Sequence, residues 1–189
     1  MINWESFLKE IEILKNSFFK NKANLIENVI KRMENTIKNG GKIIIFGNGG
    51  SASQAQHFAA ELVNKFLLVR RPLPALSLTT DTSILTSIGN DVSFNEIFSK
   101  QIEALGKKGD IALGISTSGN SLNVIQGIQK AREKKIFTIG LTGEGGGKLA
   151  EYVDLLIDVP SKSTPRIQEI HLMVLHIIAE ELEKNLYSL

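Results

Sequence analysis

His57 and Glu61 lie four residues apart in a stretch of helical pattern, which puts an imidazole and a carboxylate on one face, one turn apart. Such a pair can move a proton or supply two ligands to a metal ion; the plainer alternative is a surface ion pair. What precedes the pair makes the chemistry worth pursuing. Ile43 to Phe46 is an unbroken apolar run that suits a strand buried on both faces. It runs directly into Gly47, Asn48, Gly49, Gly50 and Ser51, a turn with few side chains to keep an oxygen anion from backbone N–H groups. Ser51 is placed to cap the following helix, whose first N–H groups favour phosphate.

A second polar loop follows the apolar run Ile111 to Ile115: Ser116, Thr117, Ser118, Gly119, Asn120 and Ser121. Hydroxyls and N–H groups at a helix N-terminus can bind phosphate without Lys or Arg. One such loop is usually an ordinary capped turn. Two of them after two parallel strands point to a shared crevice, provided those strands are neighbours, as they are in the sheet order 2-1-3-4-5. Gly143, Gly145, Gly146 and Gly147 read as a flexible turn, with a third phosphate loop as the alternative. Gly89, Asn90 and Asp91 read as a turn or helix cap with hydrogen-bonding capacity. No complete G-x-G-x-x-G or Walker A pattern occurs, so dinucleotide and ATP chemistry lack support.

The elements that must hold these loops follow from periodicity. Residues 3–20 and then 25–37 repeat apolar positions at helical spacing, and Gly40 and Gly41 end the second helix. This N-terminal arm packs either on its own core or on another chain. From Lys42 the pattern alternates strand and helix. Strands are expected at 43–46, 75–78, 111–115, 136–141 and 155–159, with helices at 51–68, 82–88, 94–105, 121–134, near 148–152, and 165–186. The expectation is one α/β domain spanning 1–189, a three-layer sandwich around a five-stranded parallel sheet. Thr164 and Pro165 form a cap and first turn for the last helix, on which His171 and His176 stand among apolar residues.

The totals exclude several function classes. A formal net charge of +2 shows no nucleic-acid footprint. The absence of cysteine removes disulfides, zinc knuckles and thiol chemistry. No apolar stretch approaches a membrane span, and the first residues lack a signal-peptide core, so a cytoplasmic location is expected.

The segments GNGGSASQAQHFAAEL, GNDVSF, GISTSGNS and RIQEIHLMVLH, in that order, resemble the phosphoheptose (sedoheptulose 7-phosphate) isomerases of the sugar isomerase (SIS) superfamily. The resemblance covers nearly the whole chain. It implies a homotetramer with sites at subunit interfaces, and the interconversion of sedoheptulose 7-phosphate and D-glycero-D-manno-heptose 7-phosphate for lipopolysaccharide or capsule. It implies zinc on His57, Glu61, Gln168 and His176, and substrate contacts from Asn48, Gly49, Gly50, Asn90, Asp91, Ser116, Thr117, Ser118 and Ser121, to which the loop argument adds Ser51. Glu61 is the candidate base and His176 the candidate acid of an aldose–ketose isomerisation, with Gln168 alternatively orienting substrate because Gln is an unusual zinc ligand. Gln168 and His176 are eight residues apart, about 12 Å of helical rise, so the expectation is that they serve one site from different subunits or that Gln168 sits before the helix straightens.

Two positions depart from the family pattern. Lys65 stands where Arg is common, and Lys cannot form a bidentate fork. Pro165 stands where some members carry Asp, and it can be neither acid, base nor ligand. The competing readings are a non-catalytic SIS protein that binds the replication initiator, which would lack the groups at Glu61 and His176, and a sugar-phosphate-sensing SIS module, for which no DNA-binding domain is seen.

Overall fold

The computed structural model describes residues 3–187. The sheet has five parallel strands, β1 (Ile43–Gly47), β2 (Ala75–Ser77), β3 (Ile111–Ser116), β4 (Phe137–Thr142) and β5 (Leu155–Asp158), in the order β2-β1-β3-β4-β5. β1 and β3 are neighbours, with Gly47 level with Ile115. Their two outgoing loops therefore leave the same edge of the sheet side by side.

Both faces are covered, because successive strand residues point to opposite sides. Ile43 and Ile45 join a core with α1 (Trp4–Lys38), α2 (Gly50–Val63) and α6 (Thr164–Tyr187). Ile44 and Phe46 join a second core with α4 (Ser99–Leu105) and α5 (Leu122–Glu133), and α3 (Thr82–Asp91) lies at its edge. The three-layer architecture expected from the strand–helix alternation is the one observed. Among the described residues, no helix is long and apolar enough to cross a membrane.

The N-terminal arm differs from the expectation of two helices. Trp4–Lys38 is one helix of 35 residues. The intervening Lys20-Asn21-Lys22-Ala23-Asn24 contains neither Pro nor Gly, so nothing breaks the hydrogen-bond ladder. The apolar stripe packs on the chain's own core over part of its length. Phe18, Ile26, Val29, Ile30 and Met33 are buried in the chain's own core, whereas Trp4, Leu8 and Ile13 are exposed.

Two turns also differ. Asn90 and Asp91 are the last residues of α3, with Val92 at its C-terminus, so Gly89 does not end the helix. The glycine turn after β4 is not loose. Gly143 N–H donates to the Thr117 carbonyl at 3.0 Å, Leu149 N–H to the Gly119 carbonyl at 2.9 Å, and Lys148 N–H to Asn120 Oδ1 at 3.1 Å. Gly119, at φ +64°, lies against the Gly146 carbonyl where a Cβ would stand. Only glycine fits both that conformation and that contact. The segment buttresses the second polar loop.

Candidate active site

The first loop turns at Gly49, whose φ of +54° is a left-handed conformation that favours glycine. Gly49 is the N-cap of α2 and supplies no side chain to the helix's first N–H groups. Ser51 was expected there; instead it is the second residue of the helix, buried, with its N–H donating to the Asn48 carbonyl at 2.9 Å. Ser121, the N-cap of α5, likewise makes no side-chain cap; its Oγ accepts from Ser116 Oγ at 3.1 Å. By contrast, Asn3 and Asp81 cap α1 and α3 with their side chains. The starts of α2 and α5 both lie at the shared crevice and neither is closed by its N-cap side chain, which leaves first-turn donors such as the Gly50 and Leu122 N–H groups for an anion.

The loops are tied together by a residue the sequence reading overlooked. Asn123 is buried in the first turn of α5 and exchanges carboxamide hydrogen bonds with Asn48. Beside Asn48, a cavity of about 180 Å³ runs between Gly47, Ala52, Thr79 and Phe98. Ser116 is buried, Thr117 half-buried and Ser118 exposed, its Oγ accepting from the Asn120 N–H at 3.1 Å.

Further along α2, His57 Nε2 lies 2.7 Å from Glu61 Oε1. The same oxygen is 3.4 Å from His176 Nε2 on α6. The His57 and His176 ring centroids are 5.3 Å apart. Ligand atoms of the three residues all lie within 4.8 Å of one another. Glu61 Oε2 is buried and has no hydrogen-bond partner. Two imidazoles and a carboxylate with an unmatched oxygen form a donor set suited to a zinc-type ion. A lone surface ion pair does not account for the third residue.

α2 and α6 run in the same direction, which decides where Gln168 lies. Its amide packs where a Cβ on Gly50 would stand, and its carbonyl accepts from Gln54 Nε2 at 2.7 Å. His176 pairs with Glu61 two turns later. Gln168 therefore sits beside the first loop, about 12 Å of rise from His176, and stands apart from its own chain's His–Glu–His group.

The remaining expected residues divide. Asn90 and Asp91 are exposed, hydrogen-bonded to each other at 2.8 Å, and make no hydrogen bond to either loop among the described residues. Lys65 is exposed, and Pro165 lies in the exposed first turn of α6, where its missing N–H removes no helical bond. His171 belongs to the core: it is fully buried, and its Nε2 lies 2.9 Å from the Thr142 carbonyl. Burial pushes its pKa down to about 4, against a smaller upward effect of that hydrogen bond. It is a neutral donor to Thr142.

Two further residues near the group escaped sequence reasoning. Arg70 and Glu183 form an ion pair with both side chains 1% exposed. Burial alone would raise the Glu183 pKa, but N–H donation from Phe66, Leu68 and Leu67 and the charge of Arg70 outweigh it and hold the carboxyl below its usual range. The available signal was a carboxylate on the apolar face of α6, one turn after Ala179 and next to Leu182.

Comparison with known proteins agrees with this geometry. A SIS domain model matches residues 6–143. The chain is 49% identical over 175 residues to the phosphoheptose isomerase of Nitratidesulfovibrio vulgaris, covering 93% of this chain and 84% of the relative. It is 52% identical over 165 residues to that of Geobacter sulfurreducens, covering 87% of each. The structure of a phosphoheptose isomerase from Neisseria gonorrhoeae superposes with a TM-score of 0.90 at 42% identity, over 95% of this chain and 96% of that one. With two polar loops on adjacent strands, a His–Glu–His group on α2 and α6, and this likeness over most of its length, the chain belongs to the phosphoheptose isomerase family of SIS domain proteins.

Proposed function

We propose that the chain is an aldose–ketose isomerase that interconverts sedoheptulose 7-phosphate and D-glycero-D-manno-heptose 7-phosphate, the first step towards a nucleotide-activated heptose. The observation that carries this reading is the meeting of His57, Glu61 and His176 on a chain whose two anion-type loops leave neighbouring strands. The reaction moves a proton between C1 and C2 through an enediol, and needs a base, an acid and stabilisation of negative oxygen.

Asn48, Gly49, Gly50 and Ser51 from the first loop, and Ser116, Thr117, Ser118 and Ser121 from the second, seat the phosphate and nearby hydroxyls by N–H and O–H donation. Gln168, lying on Gly50, orients the same end of the sugar. From Gly50 to His57 is seven residues, about 10 Å along α2, a length comparable to an extended seven-carbon sugar phosphate. A phosphate at the loops thus brings the C1–C2 end towards Glu61 and His176. Glu61 takes the carbon-bound proton. Its Oε1 is engaged by both imidazoles, and Oε2 is the oxygen with unused acceptor capacity. His176 delivers a proton to substrate oxygen.

His57, Glu61 and His176 would hold zinc, with a Gln168 from a second copy as a further ligand. When bound, zinc supplies a Lewis acid for the carbonyl and hydroxyl oxygens. A homotetramer with sites between subunits fits the exposed Trp4, Leu8 and Ile13, the half-exposed His57 and His176, and Asn90 and Asp91 standing away from their own loops. Residues 1–189 act as one SIS domain, and the sugar phosphate substrate accords with a cytoplasmic location. The deciding experiment is incubation with sedoheptulose 7-phosphate, with and without a chelator, followed by detection of the aldose. The aldose is expected only without chelator; none under either condition, nor after zinc addition, overturns the reading.

A further inference from the structure

The segment between α2 and β2 is held from the core by one carboxylate. Glu183 accepts N–H bonds from Phe66 at 2.7 Å and from Leu67 and Leu68 at 2.8 Å each. Arg70 Nε donates to Glu183 Oε1 at 2.9 Å. The other edge of the same guanidinium faces α2: Nη2 donates to the Glu61 carbonyl at 2.8 Å and Nη1 to the Leu62 carbonyl at 2.6 Å. α2 ends at Val63, so these are last-turn carbonyls with no N–H ahead of them in the helix. Glu61 is itself in that last turn, where a helix frays first. At the far end of the network, the Phe66 ring stacks on the His176 imidazole, with centroids 5.5 Å apart and planes inclined by 23°.

We infer that the buried Arg70–Glu183 pair positions Glu61 and His176 for metal binding, Arg70 by closing the last turn of α2 and Glu183 by fixing the backbone that presents Phe66 to His176. The inference rests on the metal reading of the His57–Glu61–His176 group. Neither side chain touches the ligand atoms, so both are positioning residues. Both are planar groups with several partners in fixed directions, which suits them to hold a geometry rather than only to add stability. Their removal is expected to weaken metal binding by about 10–100-fold, the usual effect of losing an outer partner of a ligand.

The test is Co²⁺ titration of the folded protein, read by its visible absorption, with circular dichroism as the fold control. Arg70→Lys keeps the charge but cannot serve Glu183 and two carbonyls at once. Glu183→Gln keeps the shape and loses the charge. Phe66→Leu leaves the ion pair intact and removes only the stacked ring. The parent is expected to bind one Co²⁺ per chain; Arg70→Lys and Glu183→Gln to bind at least about 10-fold more weakly with a shifted spectrum, and Phe66→Leu a few-fold more weakly. Folded variants with a lowered unfolding midpoint but parental affinity and spectrum overturn the inference, leaving the pair a purely structural one. If the ion-pair variants do not fold, Phe66→Leu decides, and parental Co²⁺ behaviour in it overturns the inference. A parent that binds no Co²⁺ overturns the metal reading itself, and the positioning role with it.

Discussion

The carboxamides of Asn48 and Asn123 face each other and exchange two hydrogen bonds, at 2.8 Å from Asn48 Nδ2 and 2.9 Å from Asn123 Nδ2. Asn48 lies in the loop after β1 and Asn123 in the first turn of the helix after β3. One reciprocal pair thus locks together the two loops assigned to the phosphate. Asn123 Oδ1 also accepts the Val124 N–H at 2.9 Å, which fixes the side chain against its own helix.

Asn123→Leu should therefore cost both stability and substrate binding. Asn48 would be left with unpaired donor and acceptor atoms, a loss of about 1–3 kcal/mol. Urea unfolding should show that decrease. Steady-state kinetics should show KM for the sugar phosphate rising more than kcat falls, since the loops are the proposed seat of the substrate's phosphate and not of its reacting carbons. An unchanged KM in a destabilised variant would separate the pair from binding.

Glu61→Gln and His176→Asn should each lower turnover by at least about 100-fold, the scale of a lost general base or acid. Glu61→Gln is nearly isosteric, and His176→Asn puts a smaller polar group at a partly exposed position, so circular dichroism should match the parent. A Glu61→Gln protein that turns over at near-parental rate would remove Glu61 as the base; the same result for His176→Asn would assign the acid elsewhere.

Metal removal should lower thermal stability as well as activity. A ligand bound only by the folded state adds about 2.7 kcal/mol when present at 100 times its Kd. Zinc added to chelator-treated protein should raise the unfolding midpoint, and the same addition to His57→Ala should raise it much less. Equal shifts in the two proteins would place the ion away from the His57–Glu61–His176 group.

His171 should make the fold sensitive to acid. Its folded pKa of about 4 lies below the ordinary 6.5, so between these values the unfolded chain binds a proton that the native state refuses. Stability from this group is unaffected above pH ~6.5 and falls as pH drops towards ~4, by about 1.36 kcal/mol per unit and about 3 kcal/mol in all. Urea unfolding between pH 7.5 and 4.5 measures the slope. His171→Gln, which can still donate to the Thr142 carbonyl but does not titrate, should flatten it.

The parallel sheet was legible because each strand is a short apolar run bounded by turn residues and alternates with helices that cover both faces; the order 2-1-3-4-5 entered as the doubly wound arrangement that makes β1 and β3 neighbours, and the fold bears it out. The two polar loops were legible because glycine and hydroxyl clusters stand directly after strands β1 and β3. The continuity of α1 was less so: apolar spacing in two stretches reads as two helices, although nothing in residues 20–24 terminates a helix. Ser51 was misplaced because Gly49, at positive φ, takes the cap position two residues earlier.

Periodicity along the chain determined that His57 and Glu61 share a helix face and that Gln168 and His176 stand eight residues apart. Which residues meet across elements was decided only by packing. The parallel register of α2 and α6 brings His176 to Glu61, lays Gln168 on Gly50, and buries Glu183 against the segment that follows α2. A sequence specifies the spacing along each helix but leaves open the axial offset between two helices, which is set by how their side chains interlock over a common sheet face. His171 and His176 lie on one helix and have different fates for that reason, one sealed in the core beside Thr142 and the other open beside Glu61.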